Sequence, residues 1–318
     1  MIRRPCSETR TVYLLSCAEV SDGGGVYRFS LSGSGRLTKE AYLPCPRPMY
    51  ATIDGKRLYI LLRAPFPKSK NSGCFSCAAD FSDVGPVQDT LGECACHLAA
   101  DGENVFVANY LGGSISKNGR TAVLHHGRGT DLPRQSAPHP HFVCFSPDGK
   151  YLLCCDLGLD TVFLYDRDLR EVSRAKVPEG YGVRHLVFSP DGRYFYAVNE
   201  LFPSVSRFSL RGDHAEYLDT TVLPCRAVGA TAAAVRIDGD RLYVSVRGEN
   251  RIFQLAVGKD APSLLTSAPC GGRGPRDLAL FGDKIVCTNE NSDNVTVLCK
   301  DSLSLLGEIP MKTPLCVL

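Results

Sequence analysis

The sequence predicts an all-β fold, a seven-bladed β-propeller with four antiparallel strands per blade. Three observations predict it. A Pro-Asp-Gly type of turn recurs between β-rich runs. A position at the end of the second run recurs at a steady interval. The chain also starts without an inner strand and ends with one to spare.

The unit is plainest at residues 181–200, YGVRHLVFSPDGRYFYAVNE. Pro190 presets φ and Gly192 accepts positive φ, so Pro190-Asp191-Gly192 joins two strands in a hairpin. Folding back between Asp191 and Gly192 sets Arg184 opposite Asn199, at the end away from the turn. Matching the end of the second strand through the chain gives Cys17, Arg63, Asn109, Asp156, Asn199, Val246 and Asn289. The intervals are 46, 46, 47, 43, 47 and 43 residues. Seven copies at that period suit four short strands each. The turns recur at Asp54-Gly55, Asp101-Gly102, Asp148-Gly149 and Asp238-Gly239, and in short form at Gly282-Asp283. No segment sustains a helical period, so helix content should be very low.

The strands of a blade are named A to D from the axis outward. In the fourth repeat A is His141–Phe145, B is Tyr151–Cys155, C is Thr161–Tyr165 and D is Glu171–Val177. The first repeat opens at strand B, Thr11–Leu15. The tail Thr313–Leu318 is expected to supply its strand A. That closes the ring, removes the open sheet edges between first and last blades, and makes residues 1–318 one domain. Pro65–Ser72 reads as an exposed loop between strands B and C. Gly127–Pro140 reads as a long loop entering the fourth blade, and long loops on rigid scaffolds gather binding residues.

Composition sets bounds. Apolar residues are 44% and charged residues 22%, as in globular chains. The net charge of +2 gives no gross pull toward nucleic acid or a membrane. No apolar run nears the ~18 residues of a spanning helix. The start, MIRRPCSETR, is polar and Val12–Leu15 is too short for a signal core, so a cytoplasmic location is expected. The 15 cysteines should stay reduced there and serve mostly as small hydrophobes. Cys74-x-x-Cys77 followed by Cys94-x-Cys96-His97 loosely resembles a zinc ribbon. The second pair is one residue too short, and alternation sends Cys74 and Cys77 to opposite faces. No metal and no cofactor is expected.

Several segments resemble the seven-bladed lactonase family, which includes propeller-type 6-phosphogluconolactonases and 3-carboxy-cis,cis-muconate lactonizing enzymes. They are Val107-Ala108-Asn109-Tyr110-Leu111-Gly112-Gly113, Pro138-His139-Pro140-His141, Asp156-Leu157-Gly158-Leu159-Asp160, Arg184-His185 with Asn199-Glu200-Leu201, and Gly274-Pro275-Arg276. The resemblance runs from about Val12 to the C-terminal tail. WD40 and kelch propellers fit poorly, since the chain has no Trp. Three places depart from the family's pattern. Arg63-Ala64 stands where Asn-Glu is usual, Val246 where Asn is usual before Arg247-Gly248, and Ser16-Cys17 where Gly-Thr is usual.

Strand A starts and strand B ends share one face of a propeller, so these positions point toward one opening. The expected catalytic residues are His139, His141, Glu200 and His185. The expected substrate-binding residues are Arg184, Arg247, Arg276, Asn109, Tyr110, Asp156, Asn199 and Asn289. Asn and Asp at strand ends also cap turns, so the four at that position carry a second, structural reading. Arg247 facing a carboxylate has a second reading as an ion pair. Lactone hydrolysis needs a base for water and a cation or N–H where the oxyanion forms. His, with a free pKa of ~6.5, suits the base. Arg suits the oxyanion and a substrate carboxylate or phosphate. No Gly-x-Ser-x-Gly elbow supports a serine nucleophile.

The expected function is therefore that of a metal-independent lactonase of carbohydrate metabolism. It would hydrolyse, or as a carboxymuconate cyclase form, the lactone of a small anionic acid. The expected partner is that small anionic lactone or carboxylate, with no nucleic acid and no membrane, and the chain is expected as a monomer or weak dimer. A propeller that only binds a ligand or a protein is the alternative.

Overall fold

The computed structural model describes residues 9–318; Cys6 and the rest of the polar start lie outside them. Seven four-stranded antiparallel sheets form, each a blade. The strands of blades 2 to 7 run from the axis outward in chain order. In blade 1 the order is Pro314–Val317, Arg10–Ser16, Gly25–Leu31, Leu37–Pro44, so the tail is its inner strand. Leu14 pairs with Val317 and Leu15 with Cys316. Backbone hydrogen bonds between Tyr13 and Leu318 continue the seam in both directions, at 2.6 and 3.0 Å. Helix is confined to single turns at Val20–Asp22, Leu157–Leu159 and Glu290–Ser292. Among the described residues no helix is long and apolar enough to cross a membrane.

The B strands explain the core. Arg57–Leu62 reads RLYILL, apolar at every position after the first. Leu58, Ile60 and Leu62 face blade 1, while Tyr59 and Leu61 face blade 3. A strand covered on both faces loses its alternation. Every interface between neighbouring blades holds its own apolar cluster, giving seven small cores around the ring. Cysteines fill them: Cys154 faces blade 3 and Cys155 faces blade 5. Cys74 and Cys77 likewise enter different clusters. Burial pushes Cys45 and Cys74 up to about 12, so both are thiols at neutral pH. Among the described residues no group of three or more His, Cys, Asp or Glu is arranged to hold a metal ion.

The outer end of each hairpin follows its turn chemistry. Gly149 and Gly192 take φ of 71° and 70°. Ser146 donates to Asp148 and Ser189 to Asp191, each at 2.6 Å. At the opposite end the register departs from simple pairing. Val183 lies opposite Asn199, and His185 opposite Val198, leaving Arg184 as a β-bulge. The expected Arg184–Asn199 alignment is corrected by that one inserted residue. Every inner strand is bulged at the same level, at Leu315, Met49, Cys96, His141, Arg184, Ala233–Ala234 and Arg276. A bulge re-aims a side chain; Leu315, Met49, Cys96, His141, Arg184 and Arg276 all line one cavity on the axis.

Pairing also corrects the repeat alignment in blades 1 and 2. Ser16 pairs with Pro314 and Leu62 with Pro48, the place Asn199 takes opposite Val183. Cys17 and Arg63 are therefore counterparts of Glu200, not of Asn199. Their N–H groups donate to Thr313 and Arg47 as that of Glu200 donates to Gly182. Strand C of blade 2 begins at Asn71, so Ser72, expected in the loop, is buried in a strand.

Candidate functional site

Two rings of side chains surround one end of the axis. The inner ring consists of the bulge residues. The rim consists of the first residue past strand B in six blades, Cys17, Arg63, Tyr110, Leu157, Glu200 and Glu290, and of Arg247, the last residue of strand B, in blade 6. Blades 4 to 7 contribute His141, Arg184, Glu200, Arg247, Arg276 and Glu290. The structure brings the expected His141, Arg184, Glu200, Arg247 and Arg276 together and adds Glu290 to them.

Glu200 is the hub. It is 4% exposed, yet three guanidinium groups reach it. Arg184 Nε lies 2.8 Å and Arg247 Nη2 3.1 Å from its Oε2, and Arg134 Nη2 donates to its Oε1 at 2.5 Å. Burial alone would raise its pKa. The charges of Arg247, Arg184 and Arg134 reverse that and hold the carboxylate well below the usual range. Glu200 is thus an anion that positions cations, and it has no proton to give at neutral pH. Three cations on one carboxylate leave an excess of two positive charges. Arg276 pairs separately with Glu290 at 3.0 Å. Arg184 is 2% exposed and also donates to the Ala233 carbonyl, so it forms the floor. Arg134, Arg247 and Arg276 are partly exposed and face the opening.

His141 stands beside Arg184 in the next blade and is buried. Desolvation, reinforced by the Arg184 charge, puts its pKa well below 6.5. It is a neutral imidazole, and its Nδ1 is buried without a hydrogen-bond partner. Arg247 Nε and Nη2 are also without aligned acceptors. The cavity on the axis, bounded by His141, Arg184, His185 and Arg276, measures about 10 Å³. That is about one water-sized site. Tyr110 and His139 form a wall, their rings stacked at 4.3 Å, with the edge of Tyr110 toward His141. His139 Nδ1 lies 2.9 Å from the Tyr110 carbonyl.

Other expected residues lie elsewhere. Asn109, Asn199 and Asn289 are fully buried and turn into their blades. Asn109 Nδ2 donates to the Thr90 carbonyl, Asn199 Nδ2 to Ser204 and Ser206, and Asn289 Nδ2 to Thr296. They latch strands, which is the structural reading of that position. Asp156 receives the N–H groups of His139 and Leu159 and pairs with His125 Nδ1 at 2.6 Å. It fixes the backbone at His139 without reaching the opening. His185 lies below His141, against His97 and Phe142.

Sequence reasoning missed Arg134. It marked Gly127–Pro140 as a binding loop but singled out no residue before His139. Gln135 anchors that loop, donating to the Leu157 carbonyl and Asp160. His97 was noticed only as a metal candidate. A surface cleft of about 760 Å³ between blades 2 and 3 is lined by Arg57, Cys74, Asp89 and Arg120 and contains none of the clustered residues.

Fold and mouth together define a seven-bladed propeller with a cationic opening. The chain belongs to the family described as Lactonase, 7-bladed beta-propeller, whose profile matches residues 11–318. Over 279 residues it is 27% identical to a 6-phosphogluconolactonase of Formosa agariphila, covering 78% of this chain and 79% of that protein. Over 288 residues it is 32% identical to an uncharacterised protein of Lactococcus lactis, covering 80% and 81%. A solved structure from Lactobacillus plantarum matches with TM-score 0.88 at 26% identity, covering 98% and 99%. The periplasmic gluconolactonase of Pseudomonas aeruginosa shares the fold, with TM-score 0.84 at 23% identity, covering 97% and 98%.

Proposed function

We propose that the protein hydrolyses the lactone of a small anionic sugar acid, as the 6-phosphogluconolactonase it is similar to is named for doing. The observation that carries this is a neutral, buried His141 beside a cluster of guanidinium groups with excess positive charge. In the proposed reaction His141 takes a proton from water as the oxygen attacks the lactone carbonyl. Arg184 and Arg247 stabilise the oxyanion. The ring C–O bond then breaks, and His141 returns the proton to the departing alkoxide, giving the open hydroxy acid. His139 and Tyr110 flank the sugar ring. Arg134 and Arg276 line the opening, where the excess positive charge draws in an anionic substrate. A one-water cavity against His141 favours hydrolysis over closure of a carboxymuconate, which uses no water.

The test is hydrolysis of a panel of aldonolactones by purified, metal-stripped protein. Turnover above the spontaneous rate is expected. Arg184→Lys should impair it although the charge remains, because the planar fork is lost. No turnover on any lactone would remove the hydrolytic reading. Carboxymuconate cyclisation would then point to the lactonizing reaction, and its absence to a propeller that only binds.

A further inference from the structure

We propose that Arg63 is a second anion site, holding a phosphate or carboxylate at the end of the substrate remote from the lactone carbonyl. The proposal rests on the lactonase reading above and narrows it to lactones with an anionic terminus.

The rim supplies the argument. Its charged members on blades 5 to 7 are mutually paired: Glu200 with Arg247, and Glu290 with Arg276 from the inner ring. On blades 1 to 4 the rim is Cys17, Arg63, Tyr110 and Leu157, and Arg63 is its one charge. Its side chain is exposed. Among the described residues its guanidinium has no carboxylate within ion-pair distance and no hydrogen-bond acceptor. Its backbone is fixed, because its N–H donates to Arg47 O at 3.0 Å. The neighbouring cation, Arg47, is occupied by Glu19 at 3.2 Å. In a seven-fold ring blade 2 faces the gap between blades 5 and 6, so Arg63 lies across the opening from Glu200 and Arg247. Arg63 and Arg276 are also the cations that most oppose the burial-driven rise of Cys17 and of Cys94. Both charges are therefore felt at Cys17 of blade 1, which lies between their two blades. An aldonic acid carries its carbonyl carbon and its terminal carbon at opposite ends. With the carbonyl at His141, a terminal group directed toward blade 2 would meet this guanidinium. A guanidinium fork free of internal partners suits a terminal phosphate or carboxylate.

The experiment is calorimetric titration of the full chain with 6-phosphogluconate, glucarate and gluconate. They carry a terminal phosphate, a terminal carboxylate and no terminal charge. Arg63→Gln should weaken binding of at least one of the first two about tenfold, with gluconate affinity and melting temperature unchanged. Whichever dianion loses affinity identifies the group. Ala64→Glu, which sets a carboxylate beside Arg63, should act in the same direction. Equal losses for all three ligands, no loss for either dianion, or no binding of any to the wild type would overturn the proposal. Arg63-dependent binding without lactone turnover would overturn the hydrolytic reading and leave this site standing. Turnover with Arg63-independent discrimination would do the reverse.

Discussion

The two sides of the mouth are built on one backbone plan and filled with opposite chemistry. On blades 4 to 7 the bulge and rim positions hold His141, Arg184, Glu200, Arg247, Arg276 and Glu290, with Leu157 and Ala233–Ala234 the apolar exceptions. On blades 1 to 3 the same positions hold Leu315, Cys17, Met49, Arg63, Cys96 and Tyr110. On the first side charge is concentrated, with Arg134, Arg184, Arg247 and Arg276 set against only Glu200 and Glu290. On the second it is almost absent, and Cys17 Sγ lies 3.6 Å from Met49 Sδ. The bulge sets where a side chain goes, and the residue type alone sets what it does.

Four perturbations test that contrast, from the largest effect to the smallest. Deleting the last five residues removes Leu315 together with the seam to Arg10–Ser16. The ring should open, seen as a much lower melting temperature; an unchanged one would refute closure by the tail. Next, His141→Gln should lower turnover by ~10²–10⁴, as for loss of a general base, with the fold intact. Cys96→Ala, at the equivalent bulge one blade away, should change it less than ~10-fold. Equal effects would erase the distinction between the sides.

Third, Glu200→Gln leaves Arg184 and its neighbours without their buried partner and should cost about 3–5 kcal/mol in denaturant unfolding. Glu290→Gln breaks a half-exposed pair and should cost under about 1 kcal/mol. Reversal of that order would show that Glu200 is not the hub.

The last is a pH effect. Desolvation lowers the pKa of His97, His141 and His185 well below 6.5. Below pH ~6.5 the unfolded chain binds protons that the native state refuses. Stability should therefore be full above that pH and fall as pH drops, by up to about 1.4 kcal/mol per histidine per pH unit. Replacing His97 by Phe, deep under both sides, should flatten the slope by one proton's worth. With His141 as the proposed base, turnover should persist to pH values below 6.5.

Much of the fold was legible because its signals are local. Pro190-Asp191-Gly192 and its counterparts mark hairpins by backbone preference alone. The spare tail strand followed from counting. The bulges were not legible, since one inserted residue in a strand such as Val183–Phe188 leaves no mark on an apolar run buried on both faces. Ignorance of them placed Arg184 one step out of register. The alignment of blades 1 and 2 slipped for a different reason. Leu62 fills with packing the place that Asn109 and Asn199 fill with hydrogen bonds, so Arg63, the nearest polar residue, was matched instead. Of the mouth, His139, His141, Arg184, Glu200, Arg247 and Arg276 were readable from strand ends. Arg134 was not, because its approach to Glu200 depends on how a loop is anchored through Gln135, and loop paths carry no period.

The seam between the tail and Arg10–Ser16 has a consequence for how the protein is made. The strand nearest the axis in the first blade is the last to be synthesised. Blades 2 to 6 can assemble in sequence as the chain emerges, as domains do during translation. The circle cannot be completed until Pro314–Leu318 has emerged, because Tyr13, Leu14 and Leu15 pair with it. Until then the inner edge of blade 1 is an unpaired ladder, open to other nascent chains. Synthesis of the tail strand thus gates the final folding step, and a stalled chain lacking Pro314–Val317 would expose the same edge indefinitely.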